Sequence, residues 1–134
     1  MEFLVRGSKR NKKFVEAILP SLIDQLNLTN SRKALVVQIE NDGTDNMGST
    51  IPVDALDSYI VVIKPHRKLK DIGFTLAHEM VHVRQMAKGI LKPAKNGTIW
   101  AGKHYSKKTK YLEMPWELDA FAKQEILFRK AIDA

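Results

Sequence analysis

The stretch of the chain best suited to chemistry is His78-Glu79-Met80-Val81-His82. On an α-helix, residues four apart lie on one face, so His78 and His82 can present two imidazole nitrogens to one ion. Zinc accepts such nitrogens at about 2.0–2.1 Å. Glu79 is rotated by about 100° from His78, which places it beside the metal, where it can take a proton from a bound water. The spacing predicts a zinc site with Glu79 as general base; the alternative is a surface helix with two ordinary histidines.

A third ligand must come from elsewhere, and it cannot be a thiolate because the sequence has no cysteine. The candidates are His66, His104, Glu113, Glu117 and Asp119. Glu117 is preferred because it lies in the first turn of a predicted last helix. There it shares a face with Ala120, Phe121 and Gln124 that we expect to pack inward. An acidic residue at the inner end of such a face needs a partner, and zinc is one. The alternative is a helix N-terminal charge favoured by the macrodipole.

The other candidates are placed less well for ligation. His104 is the second choice, in a lysine-rich stretch where it could also be an ordinary solvent-exposed histidine. Glu113 precedes Pro115 and falls outside the predicted helix. Asp119 points roughly 200° away from Glu117 on a regular helix, so one ion cannot easily take both, although Asp119 could orient a ligand. The metzincin pattern is absent, because Gln85 and Lys88 stand where it needs glycine and histidine.

Two tyrosines carry hydroxyl groups that a developing oxyanion could use. Tyr105 is the preferred catalytic candidate, with Tyr111 and His104 as alternatives. Half-buried packing is the competing interpretation for both tyrosines.

The charge of the chain is unevenly distributed. Its net charge is +7, and residues 64–110 hold twelve basic residues against Asp71 and Glu79, a local net of +10. Such a field favours anionic partners, so we expect weak, non-specific nucleic-acid binding. The alternative is a solvated, solubilising face. No helix-turn-helix or other nucleic-acid motif accompanies the charge.

Length and hydropathy limit the class of protein. The 134 residues suit one domain, residues 1–134, with an ordinary globular composition. The longest purely apolar run, Tyr59 to Ile63, is far shorter than the roughly twenty residues that span a bilayer. No secretion signal is visible, so we expect a cytoplasmic protein with no membrane partner.

Hydrophobic periodicity predicts an α+β fold around this motif. The expected elements are a helix over 11–26, kinked or restarted at Pro20, a strand over 34–39, a second strand over 58–64, a helix over 71–88 with Asp71 as N-cap, and a last helix over 116–132 after Pro115. Residues 41–52 are expected as a loop or long hairpin connection, and residues 90–110 as a loop with a short hairpin near 98–105.

Three stretches resemble the small zincin-type metallopeptidases of tailed-phage and bacterial genomes. The similarity is to the minimal-gluzincin group with the ImmA/IrrE-like domains, and more loosely to the SprT-like proteases. The stretches are His78-Glu79-Met80-Val81-His82, Trp100-Ala101-Gly102 with Tyr105, and Pro115-Trp116-Glu117-Leu118-Asp119-Ala120, within roughly residues 58 to 125. In gluzincins a glutamate on the helix after the active-site helix completes the metal site, which implies Glu117. The resemblance also implies that strand 58–64 lies along an extended substrate. The histidine motif of SprT-like members is not found.

These observations predict zinc-dependent peptide-bond hydrolysis. His78, His82 and Glu117 would hold Zn²⁺, Glu79 would act as base, and Tyr105 would assist, with a protein or peptide as substrate. Two alternatives stay open: a protease that acts on DNA-bound protein, and a non-catalytic, zinc-stabilised binding module.

Overall fold

A computed structural model describes all residues, 1–134, and confirms the α+β class. The elements are β1 (Phe3–Arg6), α1 (Lys9–Gln25), β2 (Ala34–Ile39), β3 (Gly48–Val53), β4 (Ser58–Ile63), α2 (Leu69–Ala87), β5 (Leu91–Ala94), β6 (Gly97–Trp100), β7 (Lys103–Ser106) and α3 (Pro115–Ile132). Two single 3-10 turns, Asp54–Leu56 and Tyr111–Glu113, precede β4 and α3. None of the helices combines the length and apolar character that crossing a membrane requires.

The larger sheet has four strands in the order β1-β2-β4-β3. β1, β2 and β4 are parallel, and α1 makes the crossover from β1 to β2. β3 pairs antiparallel with β4 and forms one edge of the sheet. Because β4 has neighbours on both sides, it cannot take up a further strand. The expected alignment of a substrate with strand 58–64 is therefore wrong. The two edges of the sheet are β1 and β3, and β3 is the edge that lies against α2.

The free edge of β3 has a definite hydrogen-bonding pattern. The amide of Lys64 donates to the carbonyl of Met47, so residues 47, 49, 51 and 53 bond to β4. Backbone groups of Gly48, Thr50 and Pro52 therefore point away from β4. Proline has no N–H to donate, and this outward position is one that it tolerates in a strand.

The other helices pack against α2, which has more buried residues than any other element. Eleven of its residues are buried, from Ile72 to Gln85. α2 and α3 lie very close: a Cβ on Gly73 would be 2.0 Å from the ring of Phe128. Only glycine leaves room for that ring, so Gly73 sets how closely α3 approaches the helix that carries His78 and His82.

Several elements differ from the sequence-based expectations. β1 was not expected, and β3 lies inside the stretch assigned to a loop or hairpin connection. α1 is one continuous helix with Pro20 inside it, instead of two pieces. α2 begins at Leu69, so Asp71 lies in its first turn and is not the N-cap. Phe121 is 48% exposed and not packed inward.

Candidate metal centre

The middle of α2 holds the two histidines and the glutamate of the motif. His78, Glu79 and His82 are each less than a tenth exposed. The two imidazole rings have centroids 5.0 Å apart, one helical turn from each other. One potential ligand atom from each of the three residues lies within 4.8 Å of the others. The helix therefore presents a compact set of donors to a single point.

Glu117, in the first turn of α3, completes this set. Its Oε1 lies 2.8 Å from Nε2 of His78 and 2.9 Å from Nε2 of His82. One carboxylate oxygen thus faces the same nitrogen of both rings. The structure brings together the three residues proposed as ligands from the sequence.

The opposite nitrogens of both rings contact glutamine side chains. Nδ1 of His82 is 2.8 Å from Oε1 of Gln85, and Nδ1 of His78 is 2.8 Å from Oε1 of Gln124. The amide orientation of Gln85 is fixed, because its Nε2 donates to the carbonyl of Trp116 at 3.0 Å and to Oδ2 of Asp119 at 2.9 Å. Nδ1 of His82 must therefore carry the proton that it shares with Gln85, and in the neutral ring the Nε2 lone pair faces Glu117.

This donor set is suited to hold a proton or a cation at its centre. Two Nε2 lone pairs and a carboxylate oxygen that meet within 3 Å repel one another unless a proton or a cation lies between them. Two nitrogens and one carboxylate oxygen are a ligand set that zinc takes in catalytic sites, with a fourth position left for water or substrate. Glutamine oxygens that accept from the outer ring nitrogens are typical partners of metal-ligating histidines. The residues present therefore fit zinc.

The lowered pKa of Glu117 is consistent with a role as a metal ligand. Burial opposes its ionisation, but the His78 and His82 rings, which donate to its carboxylate from Nε2 when they are protonated, outweigh burial and lower the pKa of Glu117 to about 2. Burial likewise acts to lower the pKa of His82, yet its hydrogen bonds with Glu117 and Gln85 raise that pKa. The carboxylate is thus ionised at neutral pH, as a metal ligand must be.

The Glu79 carboxylate has a hydrogen-bond partner of its own, a threonine on β3. The hydroxyl of Thr50, on β3, donates to Oε1 of Glu79 at 2.8 Å and lies 3.2 Å from the Glu79 carbonyl. Burial raises the pKa of Glu79, although His82, the Thr50 hydroxyl and His78 act against the rise. Glu79 and Glu117 both lie near the histidines, but only Glu117 directs one oxygen at both Nε2 atoms. This geometry suits Glu117 to metal ligation and Glu79 to proton transfer.

The Thr50 contact leads to a prediction about pH. A hydroxyl that donates to a carboxylate stabilises its ionised form, so Thr50→Val should raise the pKa of Glu79 further. A general base acts in its ionised form. For any hydrolysis that depends on Glu79 as base, the acid limb of the plot of kcat/KM against pH should therefore move to higher pH, by about half a unit or more. Thr50→Ser keeps the donor and should leave the limb in place. An unchanged limb in Thr50→Val would show that the contact does not tune Glu79.

The centre opens into a cleft of about 790 Å³. Its floor is α2 from Phe74 to Met86, one wall is β3 with the loop before it, and the other wall comes from β5, β6 and α3. Phe121 lies at this opening, with its ring 4.7 Å from that of His78. The ligands are thus accessible to a molecule in the cleft although their side chains are largely buried.

The tyrosine near the centre is Tyr111 and not Tyr105. Tyr105 pairs with Thr98 across β6 and β7, and its ring packs edge-on against Trp116 at 5.5 Å, so it does not line the cleft. Tyr111 does line it, with its side chain about half exposed, and partial burial together with the charge of Glu117 raises its pKa to about 12. Tyr111 thus keeps its proton and can donate it in a hydrogen bond. The preference for Tyr105 is corrected accordingly.

The rival ligands lie outside the centre. His104 is exposed, with Nε2 3.2 Å from the carbonyl of Lys95. His66 pairs with Asp71 near the start of α2, at 3.2 Å. Glu113 is exposed. Asp119 bonds to Gln85, which bonds to His82, so it takes the orienting position considered for it.

Sequence reasoning did not assign roles to Thr50, Gln85 and Gln124. Helical spacing offered a signal for two of them: Gln85 lies three residues after His82, and Gln124 lies seven residues after Glu117 on the same face. Thr50 had no such signal, because its contact with Glu79 depends on how β3 pairs.

Comparisons with known proteins add no relative. No family model matches the chain, and neither a curated protein nor a solved structure is significantly similar to it. Evidence for a function therefore comes from the residues of the candidate metal centre.

Zinc should stabilise the folded chain. A ligand that binds the native state and not the unfolded one raises the melting temperature, and a hundredfold excess over Kd contributes about 2.7 kcal/mol. We expect about one zinc per chain by metal analysis, and a fall of several degrees in melting temperature with a chelator. The shift should disappear in His78→Ala/His82→Ala. No zinc uptake, or a chelator-insensitive melting curve, would refute the metal centre.

Proposed function

We propose that this protein is a zinc-dependent peptidase. The observation that carries the proposal is the convergence of His78, His82 and Glu117 at the floor of an open cleft, with Glu79 beside them and hydrogen-bonded elsewhere. His78, His82 and Glu117 would hold the ion. Zinc, when bound, would polarise a scissile carbonyl and acidify water at neutral pH. This is also the activity that the resemblance to minimal gluzincins implies.

Glu79 would carry the proton. Its carboxylate is buried beside the ligands, and the raised pKa brings it closer to neutral pH, which favours a group that first accepts and later delivers a proton. The Thr50 hydroxyl would hold the carboxylate in place during both transfers. Tyr111, with its proton retained, would donate a hydrogen bond to the oxyanion that develops on the substrate.

The edge of β3 would hold the peptide. Gly48 and Thr50 offer both an N–H and a carbonyl outward along the cleft, and Pro52 offers a carbonyl. An extended peptide that adds to this edge gains backbone hydrogen bonds without regard to its sequence. Gly48 is required there, because a Cβ would lie 2.7 Å from Cγ2 of Thr75 and 3.0 Å from Cγ of Glu79.

Hydrolysis of a mixed pool of unstructured peptides tests the proposal. The zinc-loaded protein should generate new amino termini, the chelated protein should not, and restored zinc should restore activity. New termini can be identified by mass spectrometry, which also gives the cleavage preference. A zinc-loaded, folded protein that cleaves no peptide in the pool would refute a general peptidase.

A non-catalytic, zinc-stabilised binding module would need a different set of metal ligands. A structural zinc site is closed by four protein ligands. Here Oε1 of Glu117 faces Nε2 of both His78 and His82, and Glu79, whose carboxylate also lies within 4.8 Å of the ring nitrogens, accepts a hydrogen bond from Thr50. The arrangement therefore favours an open site.

A second candidate function, docking on nucleic acid, is favoured by the surface of residues 88–110. This segment has seven lysines, all exposed, and no acidic residue. We expect weak, sequence-independent DNA binding at roughly 50 mM salt, with each phosphate contact adding about 0.9 to the log–log salt slope. Lys107→Glu/Lys108→Glu should reduce that slope by about two, measured by fluorescence anisotropy. Absence of binding at this salt concentration would refute the hypothesis of docking on DNA and favour a peptidase that acts without nucleic acid.

A further inference from the structure

The two walls of the cleft have opposite charge. Residues 40–57, which lead into β3 and out of it, contain five acidic residues and no basic one. Residues 88–110, which form β5 to β7, contain seven lysines and no acidic one. All twelve side chains are exposed. One charged residue of each segment lines the cleft itself: Asp45 on one side and Lys92 on the other.

These two residues lie at opposite ends of the cleft. A Cβ on Gly48 would lie 2.7 Å from Thr75 and 3.0 Å from Glu79, whereas Thr50, two residues later, bonds to Glu79, so β3 runs along α2 in the same direction, with Asp45 just before its start. Lys92 follows the end of α2, where the amide of Ile90 donates to the carbonyl of Gln85. Asp45 therefore belongs to the end near Phe74, and Lys92 to the end near Met86.

The length of the floor sets the size of the ligand. From Phe74 to Met86 the helix rises about 18 Å at 1.5 Å per residue. An extended peptide covers that distance with about five or six residues. The ligands of the metal centre lie near the middle, so each end is about two to three residues from the bond that would be cleaved.

The direction of the peptide follows from β3. Antiparallel pairing is slightly more stable per residue than parallel pairing, so a peptide on the free edge should run opposite to β3. Its N-terminal part then lies beside Pro52 and Lys92, and its C-terminal part beside Asp45. The N-terminal part of the peptide therefore lies near a basic side chain, and the C-terminal part lies near an acidic one.

We propose that the cleft selects extended peptides with acidic side chains two to three residues before the scissile bond and basic side chains two to three residues after it. The inference rests on the proposed peptidase function for its reference to a scissile bond, but the binding preference is measurable without hydrolysis. Asp45 and Lys92 are the specificity-determining residues. The surrounding charges of residues 40–57 and 88–110 add a field of the same polarity.

Two capped heptapeptides of identical composition test the proposal. The matched peptide has two glutamates at its N-terminal end, two lysines at its C-terminal end and three apolar residues between; the swapped peptide exchanges the charged ends. Binding to zinc-loaded Glu79→Gln protein, by fluorescence anisotropy at roughly 20 mM salt, should favour the matched peptide about fivefold to tenfold, as expected for two exposed charge pairs. The preference should shrink strongly at roughly 0.5 M salt.

Charge reversal identifies the residues. The double variant Asp45→Lys/Lys92→Glu should invert the preference. The control Asp24→Lys/Lys13→Glu makes the same changes at exposed positions of α1, outside the cleft and outside both charged segments, and should retain it. Equal affinity for both peptides overturns the proposal, and so does an inversion of equal size in the control.

Failure of the inference and failure of the proposed function are distinguishable. If wild-type protein cleaves neither peptide while the Glu79→Gln protein still prefers the matched one, the peptidase function fails and the charge selection stands. If both peptides are cleaved and bound equally well, the function stands and the charge selection fails.

Discussion

Glu79→Gln should abolish peptide hydrolysis while the protein keeps its fold and its zinc. The amide has nearly the shape of the carboxylate and can still accept the Thr50 hydrogen bond, but it cannot take a proton from water. Loss of a general base costs about 100-fold to 10,000-fold in rate, and we expect at least a thousandfold here. Zinc content and melting temperature should be unchanged, because the variant loses no ligand and buries no new charge.

The matched control for this variant is Glu113→Gln. Glu113 is exposed in the short turn before α3, so the same chemical change there should leave the turnover at the wild-type value. Turnover in Glu79→Gln equal to that of the control would show that Glu79 is not the base. Loss of zinc in Glu79→Gln would instead make it a ligand.

Glu117→Gln should weaken zinc binding by a factor of ten or much more. The substitution removes the only carboxylate that faces both Nε2 atoms, and with it the charge that partly neutralises the ion. It also removes a carboxylate whose ionised form is stabilised by His78 and His82, which lower the pKa of Glu117 to about 2. Affinity can be measured by competition with a chromophoric chelator.

His104→Ala is the control for Glu117→Gln, and it should keep the metal with wild-type affinity. The imidazole of His104 lies over Gly97, contacts the carbonyl of Lys95 in the turn between β5 and β6, and does not line the cleft. The reverse outcome, metal lost in His104→Ala and kept in Glu117→Gln, would replace Glu117 by His104 and favour the SprT-like pattern.

The part of the site that lies on one helix could be predicted from the sequence. His78, Glu79 and His82 are fixed relative to one another by helical geometry alone, and α2 spans the expected region. Glu117 required one further step, the recognition that it begins the inner face of α3. On that face Ala120 is buried and Gln124 half-buried as expected, whereas Phe121 is exposed.

The parts that depend on strand pairing could not be predicted. β3 contains glycine, serine and proline, which have weak strand propensity, and it is a strand because it pairs along β4. The register of β6 against β7 directs Tyr105 to Trp116, and no local signal reveals this register. Thr50 meets Glu79 and Tyr111 replaces Tyr105 for the same reason: tertiary contacts decide which side chain reaches the centre.

A crystal structure of the zinc-loaded protein, with anomalous data at the zinc edge, would show the coordination shell of the metal. We expect one ion bound by Nε2 of His78, Nε2 of His82 and a carboxylate oxygen of Glu117, with one further ligand that is not part of the chain and faces the cleft. A fourth protein ligand in that position, or an ion bound by His104 with Glu117 distant from it, would refute an open zinc site with these three ligands.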